Sequence, residues 1–300
     1  MIYEARPSTT PCTTALCSWN ETTIYQFTGN TDAWGGSVSA VDSAGNLYGI
    51  SFFGGAYRAG AVFELSPTQG GWTETIVHNF TGGSDGALPT SLLLGHDGNL
   101  YGTASAGGNG NCDGFLTCGV VFQLVPSGGG WTENVIYAFT GTTDGAEPSG
   151  LIQDSFGNLY GFSICLNNPD EERCGNDPYG YYGFIFKLSP SGGGWGFSTL
   201  YNSLGDCYED PNHFNGLTTD AAGNLYAVEG GDAWCDPWGC YGMNCGRVVA
   251  VPSGAVLVSG GANIFQNLTS DANGNLYGTT NTCGFGTPSR TDGMVWQYSP

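Results

Sequence analysis

Three hundred residues leave room for one large repeat array or for two ordinary domains, so length alone decides little. Six Lys and Arg stand against 26 Asp and Glu, and a formal charge of −20 repels phosphate, which sets nucleic acid and anionic membranes aside as partners. The 52 glycines separate short runs of Val, Ile, Leu, Tyr and Phe, the pattern of many short strands joined by turns and not of a disordered chain.

In chain order, two extended segments come first, Ile2–Arg6 and Trp19–Phe27. The tetrapeptide Gly-Asn-Leu-Tyr then recurs from Gly45, Gly98, Gly157, Gly223 and Gly274, which marks a repeat. Upstream of it lies a short apolar segment ending in Asp, as in Leu151-Ile152-Gln153-Asp154. Downstream come a variable loop, a run such as Val120–Pro126, a Ser-Gly-Gly-Gly linker at 127–130, and Trp131–Phe139. Each unit therefore reads as four strands, A to D. Strand A ends at the Asp, B starts at Leu-Tyr, C is the Val-Phe-x-Leu-x-Pro run, and D follows the Trp. Alternation in C and D suits sheets buried against neighbours, and Asp-x-x-Gly-Asn is hairpin chemistry.

One four-stranded sheet cannot bury both faces alone, whereas sheets arranged radially can. The expected fold is all-β, a five-bladed propeller of four-stranded antiparallel blades forming a single domain over 1–300. Closing strands occupy 1–27, and the units run 28–80, 81–139, 140–204, 205–260 and 261–300. Strand D at Trp19–Phe27 is expected to complete the fifth blade and close the ring. That leaves one strand over, because Ile2–Arg6 and Val295–Ser299 are both of C type. The fourth unit departs from the pattern, with Ala255–Val258 in place of strand D and no leading Trp.

Eleven cysteines cluster at short range, without CxxC or histidines at zinc spacing, so disulfides and an oxidising compartment are expected. The expected pairs are Cys12–Cys17, Cys112–Cys118 and Cys165–Cys174. Two more are expected among Cys207, Cys235, Cys240 and Cys245 in one of three pairings, and Cys283 is left over. Met1–Pro7 is not an apolar stretch behind a basic one, so no signal peptide is read there, and no apolar run is long enough to span a bilayer.

The combination Thr81–Pro89, Asp154–Gly161 and Gly119–Pro126 resembles the GloVer-type tandem-repeat proteins of bacterial surfaces, a repeat family with varied anchors. The Asp-x-x-Gly-Asn-Leu pattern is also similar to the sensor propellers of two-component regulators. The resemblance implies repeats and an extracellular or cell-surface location in a bacterium. It supplies no catalytic residue.

In such a blade the B–C and D–A connections share one face, and here they carry everything variable. The loop over 163–182 holds Tyr179, Tyr181 and Tyr182, and that over 228–246 holds Trp234, Trp238 and Tyr241, all candidates for stacking on sugar rings or docking a protein. Asp85 and Asp144 join them from D–A loops. Asp42, Asp154, Asp220 and Asp271 invite a calcium reading, but a turn-capping role accounts for all four, and no metal or cofactor is expected. The residues opening strand A (Ser37, Ser91, Gly150, Gly216 and Asn267) include no acid, which counts against a glycosidase pair at a channel mouth. The leading expectation is a non-enzymatic surface module binding glycan or protein through the long-loop face. A subunit of an extracellular polymer, joined to copies of itself through the spare strand, comes second, and a five-bladed glycoside-hydrolase-like enzyme third.

Overall fold

The structure, a computed structural model, describes residues 1–7, 19–29, 33–109, 118–141, 144–165, 182–203, 214–229, 234–236, 239–241, 247–259, 264–280 and 294–299. Among them every regular element is a strand. A hairpin of β1 (Ile2–Pro7) and β2 (Trp19–Tyr25) is followed by β3 (Ala33–Trp34), β4 (Ser37–Val41), β5 (Leu47–Ser51), β6 (Phe53–Gly54), β7 (Ala61–Thr68) and β8 (Gly71–Asn79). Strands β4, β5, β7 and β8 make the first four-stranded antiparallel sheet, and β3 pairs with β6. The second sheet holds β9 (Ala87–Leu94), β10 (Leu100–Ala106), β11 (Val120–Ser127) and β12 (Gly130–Ala138). The third holds β13 (Ala146–Gln153), β14 (Leu159–Cys165), β15 (Tyr182–Ser191) and β16 (Gly194–Ser203). The fourth is β17 (Phe214–Thr219) and β18 (Leu225–Glu229), then β21 (Arg247–Val251) and β22 (Ala255–Ser259), with the small hairpin β19 (Trp234–Asp236) and β20 (Gly239–Tyr241) inserted between them. The last sheet has three described strands, β23 (Ile264–Ser270), β24 (Leu276–Thr280) and β25 (Met294–Tyr298).

The repeated tetrapeptide is explained by its hydrogen bonds. In the third unit the Asp154 carboxylate accepts from the Phe156 and Asn158 amides at 2.9 Å each, from Asn158 Nδ2 at 2.7 Å, and from Tyr160 Oη at 2.9 Å. Partial burial works against ionisation, but these donors outweigh it and hold the Asp154 carboxyl below its ordinary value. Asp42, Asp220 and Asp271 hold their turns in the same way. The glycine of each turn has a φ of 80–87°, open to Gly at little cost. In the second unit Gly95 occupies the Asp position, and Asp97 inside the turn takes over, accepting from Asn99 Nδ2 and Tyr101 Oη at 2.7 Å each. The Tyr thus locks the turn through its hydroxyl while its ring enters the space between sheets.

Packing within each sheet turns on one cross-strand pair. Gly49, Gly102, Gly161 and Gly278 on the second strand lie opposite Phe63, Phe122, Phe186 and Trp296 on the third. A Cβ on those glycines would come within 2.4, 2.3, 2.5 and 2.2 Å of the facing ring. In the fourth unit the pair is Ala227 opposite Val249, both fully buried. A larger residue on one strand is matched by a smaller one on the next, so the departure of that unit from the pattern conserves volume.

Consecutive sheets stack through their first strands, β4 on β9, β9 on β13, β13 on β17 and β17 on β23. Phe80 at the end of one sheet meets Phe122 of the next edge to face at 5.1 Å, and Phe139 meets Phe186 at 5.3 Å. Phe27 meets Phe63 in the same way at 5.2 Å. The strands β1 and β2 are indeed a C–D pair: their register shifts between Ile2 and Tyr3, where β7–β8 shifts between Val62 and Phe63 and β11–β12 between Val121 and Phe122. Their partner, however, differs from expectation. Strand β2 pairs with β1 and does not add to β25, so the expected closure of the last sheet by Trp19–Phe27 is not what the structure contains. The hairpin lies on the first sheet, with Ile2, Tyr25 and Phe27 packed on Phe63 and Leu65, as the outer half of a preceding sheet would. A strand pairs most readily with its sequence neighbour, since the closed loop is short.

Candidate functional site

The face carrying the B–C and D–A connections is described best in the first unit, and a cleft lies there. Loop 52–60 joins β5 to β7, and its start is clamped to the segment before β4 by the short pair β3–β6, with Trp34 opposite Phe53 and Ala33 opposite Gly54. Ser51 Oγ, fully buried, donates to the Trp34 carbonyl at 2.7 Å. The Ala56 amide donates to Asn79 Oδ1 at 2.7 Å, Gly60 N to the Gly54 carbonyl at 3.2 Å, and Leu88 N of the second sheet to the Ala59 carbonyl at 2.7 Å. Gly60 has a φ of 100°, and a Cβ there would lie 2.3 Å from Pro89 Cδ, so only glycine lets the loop press against the next sheet. A short loop tied down at both ends and in the middle is a rigid platform.

Between these segments lies a cleft of about 620 Å³ lined by Gly29, Trp34, Phe53, Gly54, Gly55, Ala56 and Arg58. That volume is in the range of small-molecule sites. Trp34 is 63% exposed and Phe53 51%, and Phe52 meets Phe53 edge to face at 4.7 Å. Tyr57 is equally open at 63%. Arg58 is exposed with a φ of 60°, and its amide donates to the Gly55 carbonyl. Flat apolar faces beside a guanidinium can stack on the C–H face of a sugar ring while hydrogen-bonding its polar edge.

The residues singled out in the sequence fall elsewhere. Tyr179, Tyr181 and Trp238 lie outside the described residues; Tyr182 begins β15, and Trp234 stands opposite Tyr241 in the register of β19 and β20. Asp85 and Asp144 hold their own loops: Asp85 accepts from the Thr81 amide at 2.7 Å and from its hydroxyl, and Asp144 accepts from the Thr140 amide and hydroxyl at 2.9 and 2.7 Å and from Tyr137 Oη at 2.9 Å. Among the described residues no group of three metal-ligating side chains converges. Of the cysteines, Cys118 is buried and disulfide-bonded, and Cys235 lies opposite Cys240. Cys165 ends β14, while Cys12, Cys17, Cys112, Cys174, Cys207, Cys245 and Cys283 lie outside the described residues. Trp34, Phe53 and Arg58 escape a reading that ranks loops by length, although Phe52-Phe53 and Tyr57-Arg58 in one short glycine-rich loop are a visible signal.

The profile of the Gloeobacter/Verrucomicrobia repeat matches residues 8–234, three quarters of the chain. The chain belongs to that family. The first three four-stranded sheets and the cleft residues 29–58 all fall inside the matched region of the Gloeobacter/Verrucomicrobia repeat. No curated protein matches the chain by sequence. Solved structures similar to it include a gluconolactonase from Xanthomonas campestris, 14% identical with a TM-score of 0.49, covering 84% of this chain and 72% of that one. A virginiamycin B lyase from Staphylococcus aureus is 11% identical with a TM-score of 0.46, covering 100% and 74%. An inulosucrase from Halalkalicoccus jeotgali is 16% identical with a TM-score of 0.43, covering 90% and 81%.

Proposed function

We propose that this chain is an extracellular or cell-surface bacterial propeller that binds glycans, without chemistry of its own, through the face formed by its B–C and D–A connections. The observation that carries this reading is the rigid cleft with Trp34 and Phe53 open to solvent. Large aromatic side chains are held exposed there by a tied-down loop, whereas Phe63 and Phe80 elsewhere in the unit are fully buried. A pre-ordered aromatic platform loses little conformational entropy on binding. In the sequence the B–C connections of the third and fourth units carry insertions that contain Tyr and Trp. Disulfides Cys112–Cys118 and Cys165–Cys174 would staple the loops of this face, Cys12–Cys17 would close the C–D connection of β1 to β2 on the other face, and the register of β19 and β20 favours Cys235–Cys240, leaving Cys207 for Cys245. The sheets would fan radially, with β1–β2 as the outer half of a blade ahead of the first.

A glycan array followed by titration of the best ligand tests this. Trp34→Ala is expected to weaken binding about tenfold or more, the loss of about 1.5 kcal/mol of stacking, with the fold intact because the side chain is exposed. Unchanged affinity in that variant, or no retained glycan, would remove the basis of the reading.

A second reading, association of copies end to end, is favoured by one observation. Val62, Val121, Ile185 and Val248 are fully buried under the following sheet, whereas Val295 at the same position of β25 is 80% exposed. At the other end Tyr3 is 60% exposed, although Phe63 at its position in β7 is fully buried. These two faces are those that meet inside the array. Light scattering over a concentration series should show mass rising with concentration, and Val295→Asp should hold the protein monomeric. A native chain that stays monomeric at its solubility limit rules this reading out.

A further inference from the structure

We infer that the cleft beside Trp34 selects acidic sugars, with Arg58 taking the carboxylate of a uronic-acid unit. This rests on the reading of the cleft as a glycan site and names the ligand class for it. The first ground is the state of the cations. The sequence has only six Lys and Arg, and four of them are described. Arg6 pairs with Glu4 at 2.8 Å, Arg247 pairs with the buried Glu229, and Lys187 lies 5.5 Å from the centre of the Tyr160 ring. Arg58 alone among the described cations has no ion pair and no ring partner, and it is the one that lines the cleft.

The second ground is how the guanidinium is presented. In a chain with 26 acidic residues a surface Arg readily finds a carboxylate. Here its backbone is held in the left-handed region, which a side-chain-bearing residue adopts only where the surroundings fix it. The turn is fixed by the Gly55 carbonyl behind it and by the Gly54–Gly60 bond around it. Arg58 lines the same space as Trp34 and Phe53. A planar guanidinium matches a carboxylate with two parallel N–H···O bonds, while the aromatic faces take the ring that bears it. The strongly negative chain also repels anionic ligands at long range, so an acidic sugar would bind where a free cation meets it, which among the described residues is this cleft.

The test compares an oligogalacturonate of one chain length with the same oligomer fully methyl-esterified, each titrated calorimetrically into the full chain at low ionic strength. The free acid is expected to bind about tenfold more tightly than the ester, and the advantage should shrink in high salt. Arg58→Gln should equalise the two without abolishing either, and Trp34→Ala should weaken both. Equal affinity for acid and ester in the native chain overturns the carboxylate assignment and leaves the glycan reading standing. Preference for the acid that survives in Arg58→Gln overturns the role of Arg58. If neither oligomer binds, the assignment falls, and retention of neutral glycans on the array decides whether the wider reading falls with it.

Discussion

Gly161→Ala is expected to destabilise the chain by about 2–3 kcal/mol, although alanine in a strand is otherwise harmless. The added methyl would lie 2.5 Å from Phe186 Cζ, and that ring cannot retreat, since it is fully buried between Phe139 and Phe197. Phe186→Val alone should cost about 2–3 kcal/mol by leaving a cavity. The double variant recreates the Ala227–Val249 pair of the fourth unit and should cost much less than the sum, with a coupling of about 2 kcal/mol. Urea unfolding of the native chain, both single variants and the double variant measures this. Additive losses would mean that the ring is not what excludes a side chain at Gly161.

That pair also shows how far the sequence could be read. The strands, their order and the turn aspartates follow from chemistry that recurs: a carboxylate that must accept amide hydrogens, a glycine at positive φ, and apolar alternation. The second unit satisfies the same need differently, with Asp97 in place of a residue at Gly95, because any carboxylate within reach of the Asn99 and Tyr101 side chains serves. The coupling of Gly161 to Phe186 was not legible, since neither residue alone announces a cross-strand neighbour. The fate of β2 was misread for a related reason. Strand type can be read from local pattern, but two sheets offered it an edge, and the choice depended on loop closure to β1. Loop length does not mark the cleft, because Trp34 and Arg58 owe their exposure to short loops tied by hydrogen bonds.

The chain should also lose stability as the pH rises from about 4.5 to about 7, through Glu133. At the corresponding position of the first sheet Glu74 accepts a hydrogen bond from Tyr25 Oη at 2.9 Å, and in the third sheet the residue is Phe197, stacked on Tyr137 at 4.3 Å. Glu133 instead keeps a buried atom, Oε1, with no hydrogen-bond partner, as does His78 at Nε2. Asp85 adds a negative charge, its Oδ2 3.7 Å from His78 Nε2. Burial first, and then the Asp85 charge, push the Glu133 carboxyl up to about 7. A carboxyl raised on folding binds its proton more tightly in the folded chain, so its contribution is most favourable below about 4.5 and is lost by the time the pH passes about 7. Burial moves His78 the other way, below its ordinary value, so its own contribution fades as the pH falls. Comparison with Glu133→Gln separates the two, because glutamine mimics the protonated acid at every pH. The variant should match the native chain near pH 4.5 and exceed it by about 1–2 kcal/mol above pH 7.5, the full shift being discounted for partial exposure. Parallel stability curves for the two proteins across that range would show that Glu133 ionises in the folded state as it does in the unfolded one.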